Sequence, residues 1–272
     1  MTAPALPPVV MPVSEPVSMP VSMPVAAPLY PPPPYEFRAA RQTWVVYESD
    51  PGPLAAYLPA GVVPDSDPAV CAAWACHYPT STFGPYLEAY LVVRVRVGDE
   101  RFWYQPVIVT DAEAPMAAGR ELWGYGKKLA AITWSGRDGG GPGTEQLVMT
   151  VERPRGVRLM TLSVLPERLL GPEELVSLRT AELLPTLSHR LLPASEPGRG
   201  PVVDELVAVD VRARSHRGAD GRPELWRGRG AVELGAGSAA DPWHVFAPLR
   251  VLDAFTALTD FTLPLGRVVA RP

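Results

Sequence analysis

The sequence predicts a mainly β (α+β) domain built on an antiparallel sheet, closed or sandwiched, with a few helices at its periphery. Three observations carry that expectation. Runs rich in valine, threonine and aromatic residues recur along the chain, many of them separated by turn clusters such as Asp138–Gly143 and Arg217–Pro223. Helix start signals are few. Proline is concentrated at one end, with 12 of the 34 prolines in residues 1–34.

Taken in order, the first segment is a proline-rich extension. It contains the four-residue near-repeat Met11-Pro-Val-Ser, Glu15-Pro-Val-Ser, Met19-Pro-Val-Ser, Met23-Pro-Val-Ala and ends in Pro31–Pro34. Proline at this density removes backbone donors and fixes φ, so residues 1–34 are expected to be extended or disordered. Residues 35–272 are read as one domain. Its strands are placed at Thr43–Tyr47, Val70–Tyr78, Tyr86–Val97, Phe102–Val109, Leu129–Trp134, Gln146–Glu152, Arg158–Val164, Val203–Arg214 and Glu224–Leu234, with a weaker one at Trp243–Leu249. Thr110-Asp-Ala-Glu113 reads as a capping box opening a helix that runs to about Gly119. Short helices are expected at Pro51–Leu58 and Leu249–Leu258. The glycines at 139–141 lack a following helix and are read as a turn.

The bulk numbers exclude several functions. A net charge of −4 and a pI of about 5.6 argue against nucleic acid or an anionic membrane surface as a partner. No apolar run approaches the roughly 18 residues of a membrane span. Cys71 and Cys76 are the only cysteines, and on a strand their spacing puts them on opposite faces. They are read as a buried, reduced pair, which with the absence of a signal-like start points to the cytoplasm. His77 and His244 are read as structural, His189 and His216 as surface residues. No metal site is expected.

Chemistry concentrates at Lys127 and Lys128, the only lysines among 25 basic residues. A chain that otherwise meets its cationic needs with arginine has little routine use for a lysine pair, and only lysine can lose a proton and attack a carbonyl. Free lysine titrates near ~10.4, so a catalytic one must lose its proton well below its usual range, through burial or a neighbouring positive charge. If the pair begins a strand, the two side chains leave on opposite faces, and desolvation does more for one than the charge of the other. Glu88 shares a strand face with Tyr90, Val92, Arg94 and Arg96, while Leu87, Ala89, Leu91, Val93, Val95 and Val97 make the opposite face wholly apolar. The Glu88 face is either solvent-exposed or the polar interior of a barrel.

The peptide Gly119-Arg-Glu-Leu-Trp-Gly-Tyr-Gly-Lys-Lys-Leu129 resembles the active-site peptide of the acetoacetate decarboxylase superfamily, in which a lysine of lowered pKa serves as the nucleophile. Weaker likenesses fall in the right order: Tyr35-Glu-Phe37 with Val45-Val-Tyr47 and Asp50, His77, Tyr86-Leu-Glu88, Leu183–Pro193 with Glu205-Leu206, and His244–Leu265. The resemblance implies an antiparallel β-barrel or cone with peripheral helices, assembled into a homo-oligomer, acting on a small keto acid or ketone without a cofactor. It implies that Lys127 forms a Schiff base, with Lys128 assisting and Glu88 as the pocket carboxylate. Arg41, Tyr125, Trp123, Arg120 and Glu121 are the candidate substrate-binding residues, with Arg120 and Glu121 read mainly as braces of the lysine loop. The implied reaction is decarboxylation of a β-keto acid through an iminium; aldol condensation with dehydration, or a non-catalytic ketone- or polyketide-binding barrel, are the alternatives. The sequence departs from the family pattern at three points. Ala40 aligns with the carboxylate-binding arginine, with Arg41 one residue later. No acid occurs near Ala72, where a second pocket glutamate is expected. Gly126 replaces the proline before the first lysine.

Overall fold

A computed structural model describes residues 22–23, 26–136, 145–171, 173–175 and 184–272. Strand after strand pairs with a neighbour in one continuous sheet. The first half supplies β1 (Tyr35–Ser49), β2 (Val63–Pro64), β3 (Ala69–Tyr78), β4 (Thr80–Ser81), β5 (Tyr86–Val97), β6 (Glu100–Thr110), β7 (Lys127–Leu129) and β8 (Ala131–Trp134). The second half supplies β9 (Leu147–Glu152), β10 (Arg158–Leu169), β11 (Thr186–Leu192), β12 (Val203–Val209), β13 (Arg214–Ser215), β14 (Leu225–Leu234), β15 (Pro248–Leu263) and β16 (Arg267–Ala270). The main path runs β16-β12-β11-β6-β5-β3-β1-β15-β14-β10-β9-β8, with β2, β4, β7 and β13 paired off it. Nearly all pairings are antiparallel; β6 with β7 and β6 with β11 are parallel. The path has two ends, so the pairing among the described residues gives an open sheet and not the closed barrel expected.

Alternation explains how the sheet separates its two faces. Inward residues of one face, including Val45, Tyr47, Cys71, Ala73, Leu91 and Val93, form the largest apolar cluster. The other face of the same strands carries Trp44, Trp74 and Tyr90. Two helical pieces matter for position: α1 (Pro51–Ala55), capped by Asp50 accepting from the Gly52 N–H at 2.9 Å, and α2 (Glu113–Ala118).

Four expectations need correction. Leu249–Leu258 is not a helix but the first part of β15, paired along almost its whole length with β1. Its apolar residues misled because Leu249, Val251 and Leu252 lie exposed on both faces before burial begins at Ala254. Trp243–Phe246 is a 3-10 turn instead of a strand, inserted to bury Trp243 and Phe246. Thr110 does not cap α2: it is fully buried in β6, and the helix starts after Ala112, which makes no side-chain cap. The single strand expected at 129–134 is two, broken at Ala130, whose N–H donates to the Thr110 carbonyl at 3.0 Å. The described part of the proline-rich segment packs on the domain: Tyr30 is buried and its hydroxyl donates to Glu121 Oε2 at 2.7 Å. The glycines at 139–141 and most of the near-repeat lie outside the described residues.

Cys71 and Cys76 take opposite faces of β3 and enter different apolar clusters, both as free thiols. Burial pushes each up to about 12; for Cys76 the nearby Glu88 charge adds to it. In the unfolded chain they ionise near ~8.5. Their contribution to stability is therefore complete below that pH and is lost as pH rises toward about 12. The native protein is expected to resist a thiol-specific disulfide reagent at pH 8 and to release two equivalents on denaturation. Stoichiometric labelling of the folded state would contradict this burial.

Candidate active site

The face of the sheet opposite the largest cluster lines a cavity of about 690 Å³. Successive inward residues of β5, Tyr86, Glu88, Tyr90 and Val92, form one wall, and Gln42 and Trp44 of β1 with Ala72 and Trp74 of β3 continue it. Lys127 enters from the side, because β7 pairs with β6 at Ile108.

Lys127 is delivered by a local device. After α2 the chain widens into a π-turn, Gly119–Trp123, which ends at Gly124 with φ +76°. That left-handed conformation suits glycine, and a Cβ there would fall 2.4 Å from Arg190 Cα. The Tyr125 N–H donates to the Gly119 carbonyl at 3.0 Å, and β7 begins two residues later. Gly119 lies directly under the lysine stem. A Cβ on it would sit 2.6 Å from Lys127 Cδ and 2.8 Å from Cε. Gly119→Ala is therefore expected to leave the fold intact but displace the amine, slowing Schiff-base formation by roughly 10- to 100-fold. Borohydride trapping beside a thermal melt checks this, and unchanged trapping would show that the stem has room to spare.

The two lysines leave β7 on opposite faces. Lys127 Nζ donates to Glu88 Oε2 at 2.5 Å, with both side chains 7 % exposed, and lies 5.8 Å from the Tyr86 ring centroid. Lys128 Nζ bonds the Ala240 carbonyl and Asp241 Oδ1, the latter at 3.0 Å. Arg153 Nε shares Asp241 Oδ1 at 3.3 Å, and Arg153 also donates to the Leu129 carbonyl at 2.6 Å. Lys128 thus ties β7 to the Ala240–Asp241 turn and is not among the residues lining the cavity.

Burial dominates the electrostatics of the phenols around the pair. It raises the hydroxyls of Tyr78, Tyr86 and Tyr90 well above their usual range, and the Glu88 charge raises each further. Tyr125 is raised mainly by burial, partly offset by its hydrogen bond with Thr186 at 3.0 Å. These phenols stay neutral at physiological pH. They can therefore donate a hydrogen bond to a bound carbonyl compound, while Lys127 and Glu88 are the amine and the carboxylate at the cavity wall.

Of the five candidate substrate-binding residues, only Tyr125 lines the cavity. Arg41 points to the other side of β1: the strand bulges at Ala39, with φ 51°, and the next inward residues are Gln42 and Trp44. Gln42 thus takes the place expected of Arg41, donating to Thr259 Oγ1 at 3.2 Å. Arg120 donates to the Lys127 carbonyl at 3.2 Å and braces the loop. Glu121 accepts from Tyr30, and Trp123 Nε1 donates to the Pro264 carbonyl at 2.8 Å. The sequence reading missed Gly119 and Gly124, although glycines closing both ends of a five-residue stretch are a readable signal. It also missed Gln42, Trp44 and Trp74, which only strand phase brings to the cavity.

This geometry can be set beside known proteins. The sequence model described as acetoacetate decarboxylase (ADC) matches residues 18–272. The chain belongs to the acetoacetate decarboxylase family. Acetoacetate decarboxylase 1 of Mesorhizobium japonicum is 30 % identical over 241 residues, covering 88 % of this chain and 90 % of the relative. The crystal structure of acetoacetate decarboxylase from Legionella pneumophila superposes with a TM-score of 0.75 at 25 % identity, covering 100 % of this chain and 99 % of that one. The enduracididine biosynthesis enzyme MppR, complexed with pyruvate, shares the fold at a TM-score of 0.72 and 21 % identity, over 92 % and 97 % of the two chains. The family thus supports a decarboxylase-like lyase at its general level, on a fold that also serves a differently named enzyme. Among the described residues no helix is long and apolar enough to cross a membrane.

Proposed function

We propose that this protein decarboxylates a β-keto acid through a Schiff base on Lys127. The observation that carries the reading is the buried Lys127–Glu88 contact of 2.5 Å at the wall of a largely apolar cavity. In the proposed sequence Glu88 takes a proton from the amine, and neutral Nζ attacks the ketone carbon. Loss of water gives the iminium. The bond to the carboxylate carbon then breaks, its electron pair moving into the iminium as CO₂ leaves and an enamine remains. Protonation of the enamine carbon and hydrolysis release the ketone and restore the lysine. The chain's own groups supply every proton transfer, so no cofactor is required by this route. A cavity of this kind fits a small-molecule partner; assembly into a homo-oligomer and a cytoplasmic location remain part of the proposal.

A second reading, aldol condensation with dehydration on the same lysine, is favoured by the cavity itself. Neither Ala40, which aligns with the carboxylate-binding arginine, nor Arg41 after it lines the cavity, and Ala72 lines it near where a second acid is expected. Incubation with a panel of β-keto acids plus borohydride, followed by intact mass, tests the common core of both readings. The expected adduct has the mass of the bound carbonyl compound minus water plus two hydrogens, less CO₂ where decarboxylation precedes reduction; no adduct with any carbonyl compound would overturn both. Release of CO₂ without a second substrate selects decarboxylation, whereas water loss requiring an aldehyde partner selects the alternative.

A further inference from the structure

We infer that the substrate carries an aryl-bearing or comparably extended apolar tail, held by a row of aromatic side chains one step along the sheet from the reacting lysine. The inference rests on the Schiff-base reading for the position of the carbonyl and goes beyond it in naming the substrate class. Its first support is size. At about 30 Å³ per water-sized group, the cavity of about 690 Å³ has space for roughly 20 such groups. A four-carbon keto acid has seven non-hydrogen atoms and would leave most of that space as disordered water. Cavities of this size ordinarily enclose ligands larger than that.

The second support is where the apolar surface lies. The cross-strand partners at the lysine level are Gln42 on β1, Cys76 on β3 and Glu88 on β5. Two residues further along the same strands the partners are Trp44, Trp74 and Tyr90, and β15 adds Phe255 beside Trp44. Two residues of strand are about 6.8 Å, the length of a short alkyl linker. These rings stack on each other: Phe255–Trp44 at 5.2 Å, Trp44–Trp74 at 4.5 Å and Trp74–Tyr90 at 5.7 Å, the last two within 8° and 10° of parallel. Trp44, Trp74 and Tyr90 all line the cavity. Stacking fixes them without ligand, so a tail meets a preformed wall whose ordering has already been achieved. Beyond it the inward residues shrink to Ala72 and Val92, which leave room for the end of the tail. Rings so placed favour an aromatic partner over a saturated one of equal size, through edge-to-face and offset contacts.

The test separates tail binding from Schiff-base chemistry by using alcohols, which cannot form an iminium. Dissociation constants for 4-phenylbutan-2-ol and propan-2-ol are measured on the full chain by calorimetry. The wild type should prefer the aryl alcohol by roughly 100-fold or more, and Trp74→Ala should lose about 10-fold of that preference, with Trp74→Phe recovering part of it. Lys127→Ala should bind the aryl alcohol within about 3-fold of the wild type, since the tail wall does not include the lysine. Borohydride trapping of 4-phenylbutan-2-one and acetone runs in parallel. An aryl preference without any trapping would leave the tail site standing and remove the Schiff base. Trapping of both ketones with equal efficiency, and no aryl preference among the alcohols, would overturn the inference while keeping the chemistry. The ligand comparison on the wild type decides the matter even if Trp74→Ala does not fold.

Discussion

Lys127→Ala is expected to abolish borohydride-trappable adduct and to lower kcat by roughly 10⁴-fold or more, the scale on which loss of a covalent nucleophile registers. Lys127→Arg should behave the same way: it keeps a cation beside Glu88 but presents no amine able to become an imine. Lys128→Ala should keep the adduct. Its Nζ is held by Asp241 and the Ala240 carbonyl, and nothing in that arrangement lets it reach into the cavity. The expected cost there is structural, a loosening of β7 against Arg153 and Asp241. Intact-mass trapping of the three variants, each checked by circular dichroism, reads the difference. A persistent adduct in Lys127→Ala would move the nucleophile elsewhere.

The second large effect is expected at Glu88. Glu88→Gln preserves shape but removes both the charge and the capacity to take the Lys127 proton. Rate loss should be about 10²- to 10⁴-fold, the range for a general acid–base group. The pair is buried, each side chain 7 % exposed, and removing one member of a buried ion pair costs about 3–5 kcal/mol because the other charge is left uncompensated. The variant should therefore be less stable than the double variant Glu88→Gln/Lys127→Met, which removes both charges. Denaturant melts of the single and double variants together with trapping rates distinguish the two contributions. Equal stability of the two would show that the single variant leaves no uncompensated charge.

How much of this could be read from the chain depends on which interactions are local. Alternation along β5 showed that Glu88 had to share a face with Tyr90 and Val92, and it left open whether that face was wet. Its partner settles the matter: Lys127 lies 39 positions away in sequence, and only the parallel β6–β7 pairing brings it there. The opposite exits of the two lysines were legible because they follow from strand geometry alone. Arg41 could not be placed, because a single bulge at Ala39 changes the phase of everything after it. The helix expected at Leu249–Leu258 failed for a related reason. A long strand whose start is exposed on both sides shows no alternation, and its pairing with β1 outweighs local preference. The same holds for the aromatic row, which joins residues of four strands and leaves no trace in any one of them.

The π-turn and its closing glycine have one more consequence. Two identical amines stand a single peptide bond apart, and no rotation of side chains can exchange them, because the backbone has already chosen which one faces inward. Gly124, seated against the Arg190 backbone, and the three residues of β7 act as the indexing mark of a dial. Moving the dial by one position would present to the cavity the amine that now binds Asp241, and would turn the proposed nucleophile outward. On the proposed function, reactivity therefore belongs to the parity of a position along the chain. Lysine as a residue type is only its carrier.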